Sequence, residues 1–439
     1  MKNYYLLGIV LALFLITRLY KITEIPGSVY WDEASIGYNA YAVATDLKDE
    51  WGETLPLHFR AFGEFKLPVY IYSVAVLTRI FGLSDLAVRL PAVLYGLGVV
   101  ILTYLLVARI TRDEKAGLVA SFILTVSPWL FIFSRTGYEA VAGLFFFLLF
   151  IYFLELYKRK KLFIIFAALA AVLAIYSYNS FRILIPLYIV FWALTQRHKN
   201  LKLELIALGI FLMSLIPIAR LVYLDAGAAR LATVGLSNPT AVVKSYFSHF
   251  DFGFLFLEGD ANVRHQVPGW GQLYLIELPL FFVGVWRILR SKNKFVWLFL
   301  VLLVLAPIPA CIAKESPHAL RAILMAFAFA SISALGLVSM RRFVLPIAVI
   351  VYLFYFGLYF RDFIGNYNSK TSSDWQYEYK EVFVNTKEGI VTDKYAQPYI
   401  FALYYLKYPP REFRNTVKYN PVDKWGFSTV ASFGNFQFK

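Results

Sequence analysis

The sequence predicts an all-α polytopic membrane protein, with about eleven transmembrane helices followed by a small C-terminal α/β lobe. Of its 439 residues, 59% are hydrophobic and only 16% are charged, whereas soluble proteins carry roughly 45–50% and about 25%. Long apolar runs recur along the chain, and the composition turns polar and tyrosine-rich after residue 365. The net charge of +15 lies in short loops between the apolar runs, which indicates contact with lipid headgroups and not with nucleic acid.

Each predicted span is an apolar run long enough, or nearly so, to cross about 30 Å of hydrocarbon. The first run is kept as a span because the bulky residues that follow it offer no site for signal-peptide cleavage. The expected spans are Tyr4–Tyr20, Leu90–Ile110, Ala116–Phe133, Ala140–Tyr157, Leu162–Tyr178, Ile183–Thr195, Leu203–Tyr223, Leu273–Leu289, Phe295–Ile312, Ala322–Ser339 and Phe343–Phe360.

The apolar segment Leu67–Phe81 decides the topology. It has only 15 residues, about 22 Å as a helix, and contains Arg79. If it does not cross, the basic clusters of the short loops gather on one side, as the positive-inside rule requires of the cytoplasm. We therefore expect a juxtamembrane helix here, an N-terminus in the cytoplasm and a C-terminus outside it.

This topology divides the chain into a transmembrane domain, residues 1–365, and an extracytoplasmic lobe, residues 366–439. The first outer loop covers residues 21–88, and a second long outer loop covers residues 224–271. Within the lobe the pattern predicts a strand over Gly389–Thr392, a helix over Gln397–Lys407 and a final strand over Asn435–Phe438.

Asp32 and Glu33 form an acidic pair between aromatic residues in the first outer loop. Near a membrane, desolvation can bring a carboxylate into a useful range for proton abstraction. Asp32 is therefore the predicted general base, and Glu33 its neighbour in the catalytic loop. The alternative is a solvated acidic turn that caps the helix after it.

Two further stretches on the outer side carry cations. Arg135 and Glu139 lie in a short loop between spans, where Arg135 either binds a phosphate through its guanidinium fork or anchors to lipid headgroups. His318 and Arg321 open a later span, and a cation in a first helical turn opposes the macrodipole. An anion site explains that placement, and a structural lipid headgroup is the alternative.

Asp260, Arg264 and His265 of the second outer loop form either a metal or phosphate site or a structural salt bridge. One histidine and one aspartate at this spacing do not define a metal site. No cofactor is therefore assigned, and a divalent metal stays open. The sequence contains no Walker loop, HExxH, GxSxG or paired CxxC motif, so it lends no support to ATP, zinc-peptidase or serine-hydrolase chemistry.

Several short motifs follow one another in a recognisable order. They are Trp31-Asp32-Glu33, Lys66-Leu67-Pro68-Val69-Tyr70, Phe81-Gly82 with Ala87-Val88-Arg89-Leu90-Pro91, and Ser127-Pro128 with Ser134-Arg135 and Glu139. Together they resemble the GT-C superfamily of membrane glycosyltransferases, in particular its protein O-mannosyltransferase and aminoarabinose transferase group. The resemblance covers about residues 1–340. It departs from the family at Leu67, where the family has a second proline, and at Glu64, which stands one position further from the lysine than the family's acid.

The resemblance implies that Asp32 is the base, that Lys66 and Arg135 contact the carrier phosphate, and that Glu139 is the second acid of the site. The implied reaction is an inverting transfer of a hexose or related sugar from a polyprenyl-phosphate carrier to an acceptor hydroxyl on a protein, glycan or lipid. It would take place on the extracytoplasmic face of the cell membrane. The alternative is a transporter or flippase of a polyprenyl-linked lipid, although charges in transporters line a path at mid-membrane depth.

Overall fold

Helices make up most of the chain, which confirms the predicted fold class. The computed structural model describes residues 2–196, 200–223, 235, 238–394, 397–422 and 427–439. The start of the second outer loop therefore lies largely outside the described residues. The helices are α1 Lys2–Leu19, α2 Trp31–Asp46, α3 Pro68–Phe81, α4 Asp85–Thr111, α5 Glu114–Val126, α6 Pro128–Phe133, α7 Ala140–Tyr157, α8 Phe163–Ile175, α9 Phe181–Thr195, α10 Leu201–Ser214, α11 Ile216–Tyr223, α12 Pro239–Ser248, α13 Glu277–Leu289, α14 Leu298–Leu305, α15 Ile308–Cys311, α16 Leu324–Ser339, α17 Val344–Thr371, α18 Tyr377–Asn385, α19 Pro398–Tyr405 and α20 Pro410–Thr416.

Within the described residues, five helical segments are long and apolar enough to cross a membrane. They are Asp85–Thr111, Ala140–Tyr157, Leu201–Tyr223, Lys294–Cys311 and Val344–Thr371. Several shorter apolar helices stand among them, including α1, α8, α9 and α16. The protein is thus an integral membrane protein, and the number of eleven spans remains a prediction.

One predicted span is interrupted. The run Ala116–Phe133 was expected as a single helix, but α5 ends at Val126 and α6 begins at Pro128. Ser127 between them is extended, with ψ 130°, because a residue before proline is disfavoured in the α region. The break turns the chain toward the 134–139 loop at the candidate site.

The segment Leu67–Phe81 forms helix α3, which begins with Pro68 in its first turn, where a missing N–H costs nothing. Tyr70, Ile71 and Val74 are buried, whereas Val76 and Ile80 are exposed. One buried and one exposed apolar face is the pattern of a helix that lies along a membrane surface. Its placement there remains a prediction.

The C-terminal lobe has the predicted α/β composition. Its sheet contains β3 Gly389–Val391, β4 Lys418–Tyr419, β5 Val430–Phe433 and β6 Phe436–Phe438 in the order β3-β6-β5-β4. The β3–β6 pair is parallel and the other pairs are antiparallel. The last membrane helix, α17, continues to Thr371, so the boundary expected at residue 365 falls inside a helix.

The lobe shares its hydrophobic core with the first outer loop. Residues of α2, α3 and the start of α4 pack in one cluster with α19 and the lobe strands. Polar contacts support this packing: the Tyr399 hydroxyl donates to Glu50 at 3.0 Å and the Tyr404 hydroxyl to Asp85 at 2.9 Å. The lobe is therefore docked on α2, the helix that carries the acidic pair.

Candidate active site

Asp32 and Glu33 occupy the first turn of α2, after extended Tyr30. Carboxylates are stabilised there by the positive end of the helix macrodipole. Successive residues of an α-helix point about 100° apart, so the two side chains meet different partners. The Asp32 side chain is 26% exposed, whereas that of Glu33 is fully buried.

Lys66 is presented to Asp32 by a short hairpin. Strands β1 Phe59–Arg60 and β2 Phe65–Lys66 pair antiparallel, and Gly63 in the turn has φ +74°, which favours glycine. Lys66 Nζ lies 2.6 Å from Asp32 Oδ1 and 3.5 Å from Glu64 Oε1. Burial alone would lower the pKa of Lys66, but these carboxylates outweigh it and raise the pKa. Lys66 is therefore a fixed cation beside the predicted base.

Glu139 belongs to the same group of charges. It stands directly before α7, and burial raises the pKa of its carboxyl to about 7, with Lys66 opposing the rise and Asp32 adding to it. A carboxyl that titrates near neutral pH is suited to accept and return protons. The structure thus brings together Asp32, Lys66, Glu64 and Glu139 from three separate segments.

Glu33 has a structural environment. Its carboxylate accepts from Arg89 Nε and Nη2, each at 3.2 Å, and from the backbone N–H of Gly137 at 2.6 Å. A Cβ at Gly137 would lie 3.0 Å from the Glu33 side chain, so a larger residue there would crowd this contact. Arg89 also donates to the carbonyls of Ile22, Pro26 and Ser28. Glu33 and Arg89 thus tie the first outer loop to α4 and the 134–139 loop.

Arg135 lies among backbone carbonyls, in surroundings that do not favour the expected phosphate contact, which stays a prediction. Its side chain is fully buried and donates to the carbonyls of Ile25, Thr17, Arg18 and Tyr20. The last carbonyls of a helix have no partner within it, and a cation is favourable at this negative end. Arg135 therefore caps the end of α1, and the headgroup anchor considered as its alternative does not fit a buried side chain either.

Asp260, His265 and His318 form a second, buried cluster. Asp260 Oδ2 lies 3.0 Å from His265 Nδ1 and 4.0 Å from His318 Nδ1, and it accepts the N–H of Ala319 at 2.7 Å. Burial raises the pKa of Asp260, but the hydrogen bond from His265, the neighbouring imidazoles and the N–H of Asn262 together outweigh it and lower the pKa to about 2. Asp260 is accordingly ionised at neutral pH. These three residues, which come from two distant stretches of sequence, could hold a metal ion.

Two arginines flank this cluster. The Arg264 guanidinium lies over the ring of Tyr30 at 5.0 Å and donates to the carbonyl of Asp374 at 3.2 Å. Arg321 is 3.5 Å from Glu315, an exposed carboxylate. Among the described residues, Arg264 Nε and Arg321 Nη1 are buried without a hydrogen-bond partner. Both side chains therefore retain capacity to bind an anion.

A row of aromatic rings joins the two clusters. The ring of Tyr30 lies 5.4 Å from that of Tyr138, which lies 5.5 Å from His265, which in turn lies 4.8 Å from His318. The negative charge of Asp32 interacts electrostatically with the side chains of Tyr138 and Arg264. Arg89 belongs to a motif quoted above, and Tyr138 lies between Arg135 and Glu139. Nothing in the local sequence distinguishes either residue as part of the site. The two clusters form one continuous candidate site.

Comparison of the sequence with known families identifies one match. Residues 66–223 match the family model described as dolichyl-phosphate-mannose-protein mannosyltransferase. An uncharacterized protein of Aquifex aeolicus is 31% identical over 197 residues, which are 41% of this chain and 39% of that protein. The segment that matches the family model, residues 66–223, includes Lys66 and Glu139.

Two solved structures share the fold. ArnT from Cupriavidus metallidurans bound to undecaprenyl phosphate has a TM-score of 0.60 at 12% identity, covering 92% of this chain and 84% of that one. The archaeal oligosaccharyltransferase AglB from Archaeoglobus fulgidus, in complex with an inhibitory peptide and a dolichol-phosphate, has a TM-score of 0.53 at 13% identity. That match covers 88% of this chain and 58% of AglB. The chain therefore shares its fold with ArnT and AglB, and its residues 66–223 match the dolichyl-phosphate-mannose-protein mannosyltransferase family model.

Proposed function

We propose that this protein transfers a sugar from a polyprenyl-phosphate carrier to an acceptor hydroxyl. The observation that carries the proposal is the Asp32–Lys66 pair with Glu139 beside it. This pair supplies a carboxylate and a cation side by side in a partly exposed position. Acyl transfer or zinc-peptidase hydrolysis would need a different set of catalytic groups from this carboxylate and ammonium pair.

The chemistry follows from these groups. Asp32 removes the proton of the acceptor hydroxyl, and the acceptor oxygen forms a bond to the anomeric carbon while the bond to the carrier phosphate breaks. The attack is in line, so the anomeric configuration inverts. The bonding electrons leave with the phosphate, whose charge grows in the transition state. Glu139, with its pKa near 7, can take the proton onward from Asp32.

Lys66, Arg264 and Arg321 are the groups proposed to hold that phosphate. Lys66 lies beside Asp32, and the two arginines carry nitrogens without partners among the described residues. Fixed cations directed at the site of developing charge are commonly the largest contribution to catalysis. Lys66 would then be shared between Asp32 and the leaving group.

The identity of the carrier rests on the related structures. ArnT was solved with undecaprenyl phosphate and AglB with a dolichol-phosphate, so a polyprenyl monophosphate is the proposed donor carrier here. The positive-inside pattern supports a location of the site on the extracytoplasmic face of the cell membrane. The proposed acceptor is a hydroxyl of a protein, a glycan or a lipid.

Carrier binding tests the proposal directly. The purified protein in lipid nanodiscs should bind undecaprenyl phosphate and not undecaprenol, because recognition is of the phosphate. Lys66→Met should weaken binding at least tenfold, whereas Lys21→Met, a change at an exposed surface lysine, should leave it unchanged. Equal affinity for the phosphate and the alcohol would overturn the proposal.

Turnover distinguishes the enzyme from the transporter alternative. Proteoliposomes supplied with a polyprenyl-phosphate sugar and a soluble acceptor should release polyprenyl phosphate and form a glycosidic bond. Movement of the intact lipid-linked sugar across the bilayer, without cleavage, would identify a flippase instead.

A further inference from the structure

In the cluster of Asp260, His265 and His318, the two carboxylate oxygens of Asp260 have different partners. Asp260 Oδ1 accepts the N–H of Asn262 at 2.8 Å, and Asn262 in turn accepts the N–H of Arg264 at 3.1 Å. This pair of turns places His265 in the short helix Val263–His265. Asp260 Oδ2 is thereby directed at both imidazoles. All three side chains are at least nine-tenths buried.

His318 and Asp260 face each other as two acceptors. The backbone N–H of Arg321 lies 3.4 Å from His318 Nδ1, which assigns a lone pair to this nitrogen. Asp260 Oδ2 is 4.0 Å away, too far for a hydrogen bond. A cation bound between these two atoms would take over lone pairs that the N–H groups of Ala319 and Arg321 contact in the metal-free protein.

We propose that Asp260, His265 and His318 bind one divalent transition-metal ion of the zinc type. Zinc holds its ligands at about 2.0–2.1 Å, so two ligand atoms on one ion lie roughly 3–4 Å apart. The separations of Asp260 Oδ2 from the two histidine nitrogens are 3.0 and 4.0 Å. The widest separation in the cluster is within 4.8 Å, and a shift of less than about 1 Å brings it into this range.

The donor set selects the class of metal. Two imidazoles and one carboxylate, with a fourth position open, are typical of zinc sites that keep an exchangeable ligand. Magnesium and calcium prefer oxygen ligands throughout. In the metal-free hydrogen bond, His265 Nδ1 donates its proton to Asp260. When Nδ1 binds the metal instead, that proton moves to Nε2.

The proposed metal ligands are distinct from the acids of the first outer loop. Asp32 and Glu64 share Lys66 as their cation, and Glu33 is paired with Arg89, so these carboxylates already have cationic partners. Arg264 and Arg321 adjoin the proposed metal. Both arginines carry the same sign of charge as the metal, so an anion as the fourth ligand reduces their repulsion. Inorganic phosphate should therefore tighten metal binding. This inference does not depend on the sugar-transfer proposal.

Metal content measured on the full-length protein tests the proposal. Tag-free protein in nanodiscs is stripped with EDTA, dialysed against zinc sulfate and analysed by mass spectrometry for zinc. Wild type should retain about one ion per chain. Asp260→Asn, which keeps an acceptor for the N–H of Ala319, and His318→Gln should each retain less than a tenth of that. His58→Gln, at a histidine of the first outer loop and outside the cluster, should match wild type.

Cobalt provides a readout that needs no variant. Cobalt-loaded wild type should show the strong visible absorption of a four-coordinate ion with nitrogen ligands, and phosphate should shift it. Wild type that holds no zinc above the level of Asp260→Asn, or a cobalt spectrum identical to that of the aqueous ion, would overturn the proposal.

Discussion

Lys66 Nζ lies 2.6 Å from Asp32 Oδ1, so the proposed base and a proposed phosphate ligand form an ion pair before any substrate is bound. The side chain of Lys66 is nearly buried and that of Asp32 is partly exposed. The pair is therefore held from one side and open on the other. Substrate that engages the ammonium would release the carboxylate for the acceptor hydroxyl, which would couple donor binding to base activation.

Asp32→Asn should lower turnover by roughly 10²–10⁴-fold, the contribution of a positioned general base, while carrier binding persists. Asparagine keeps the size of the side chain and can still accept from Lys66, but it cannot take a proton. Initial rates of polyprenyl phosphate release, compared with the exposed-site control Glu24→Gln, measure the effect. Full activity in Asp32→Asn would disprove the assigned base.

Glu33→Gln should act on stability instead. The change leaves Arg89 as a buried cation with its ion pair broken, at a cost of about 3–5 kcal/mol. Thermal unfolding in detergent should show a markedly lower Tm, and the double variant Glu33→Gln/Arg89→Met should recover part of it. A Tm equal to wild type, with turnover lost, would instead assign Glu33 to catalysis.

Arg135→Ala should also destabilise the protein, because four carbonyl groups, three of them buried, lose their donor and an unsatisfied buried group costs about 1–3 kcal/mol. Arg135→Lys should recover only a part, since an ammonium cannot reproduce the guanidinium fork. Arg361→Ala, at an exposed arginine, is the matched control for Tm. Unchanged Tm together with weaker carrier binding would restore the phosphate-binding role for Arg135.

Glu50 should make docking of the lobe dependent on pH. Burial, with a smaller effect of Asp49, raises its pKa to about 8, against about 4.3 for an unfolded chain. The folded state therefore holds a proton that the unfolded state has lost. The contribution of Glu50 to stability is complete below about pH 4.3 and falls as the pH rises to about 8. Wild type should melt lower at pH 9 than at pH 6, and Glu50→Gln should reduce this difference; an equal difference in the variant would contradict the assignment.

The topology can be tested by labelling. In a Cys311→Ala background, which removes the one native cysteine, Lys160→Cys should react with an impermeant maleimide only from the cytoplasm, and Lys370→Cys only from outside. Both positions are exposed. Labelling of position 160 from outside would mean that α3 crosses the membrane and that Asp32 and Glu139 lie on opposite sides of it.

The sequence alone determined the fold class, because the composition and length of apolar runs depend only on the bilayer as solvent. It also indicated most of the loops that meet at the site, since proline, glycine and charge mark the ends of spans. The helix break before Pro128 and the continuation of α17 to Thr371 were missed. The break follows from Pro128, a local signal within an otherwise continuous apolar run. The extension of α17 depends on where the chain leaves the lipid, which hydrophobicity defines only loosely.

Only the tertiary structure decided what each charged side chain does. Asp32 and Glu33 are neighbours with the same chemistry, yet the turn of α2 directs one to Lys66 and the other to Arg89. A guanidinium binds a phosphate and a set of helix-end carbonyls by the same hydrogen bonds, so no local pattern could show that Arg135 caps α1. Likewise, His318 is 58 residues from Asp260 along the chain, and only packing places their side chains 4.0 Å apart. Sequence limits which groups are available, and the folded backbone selects their partners.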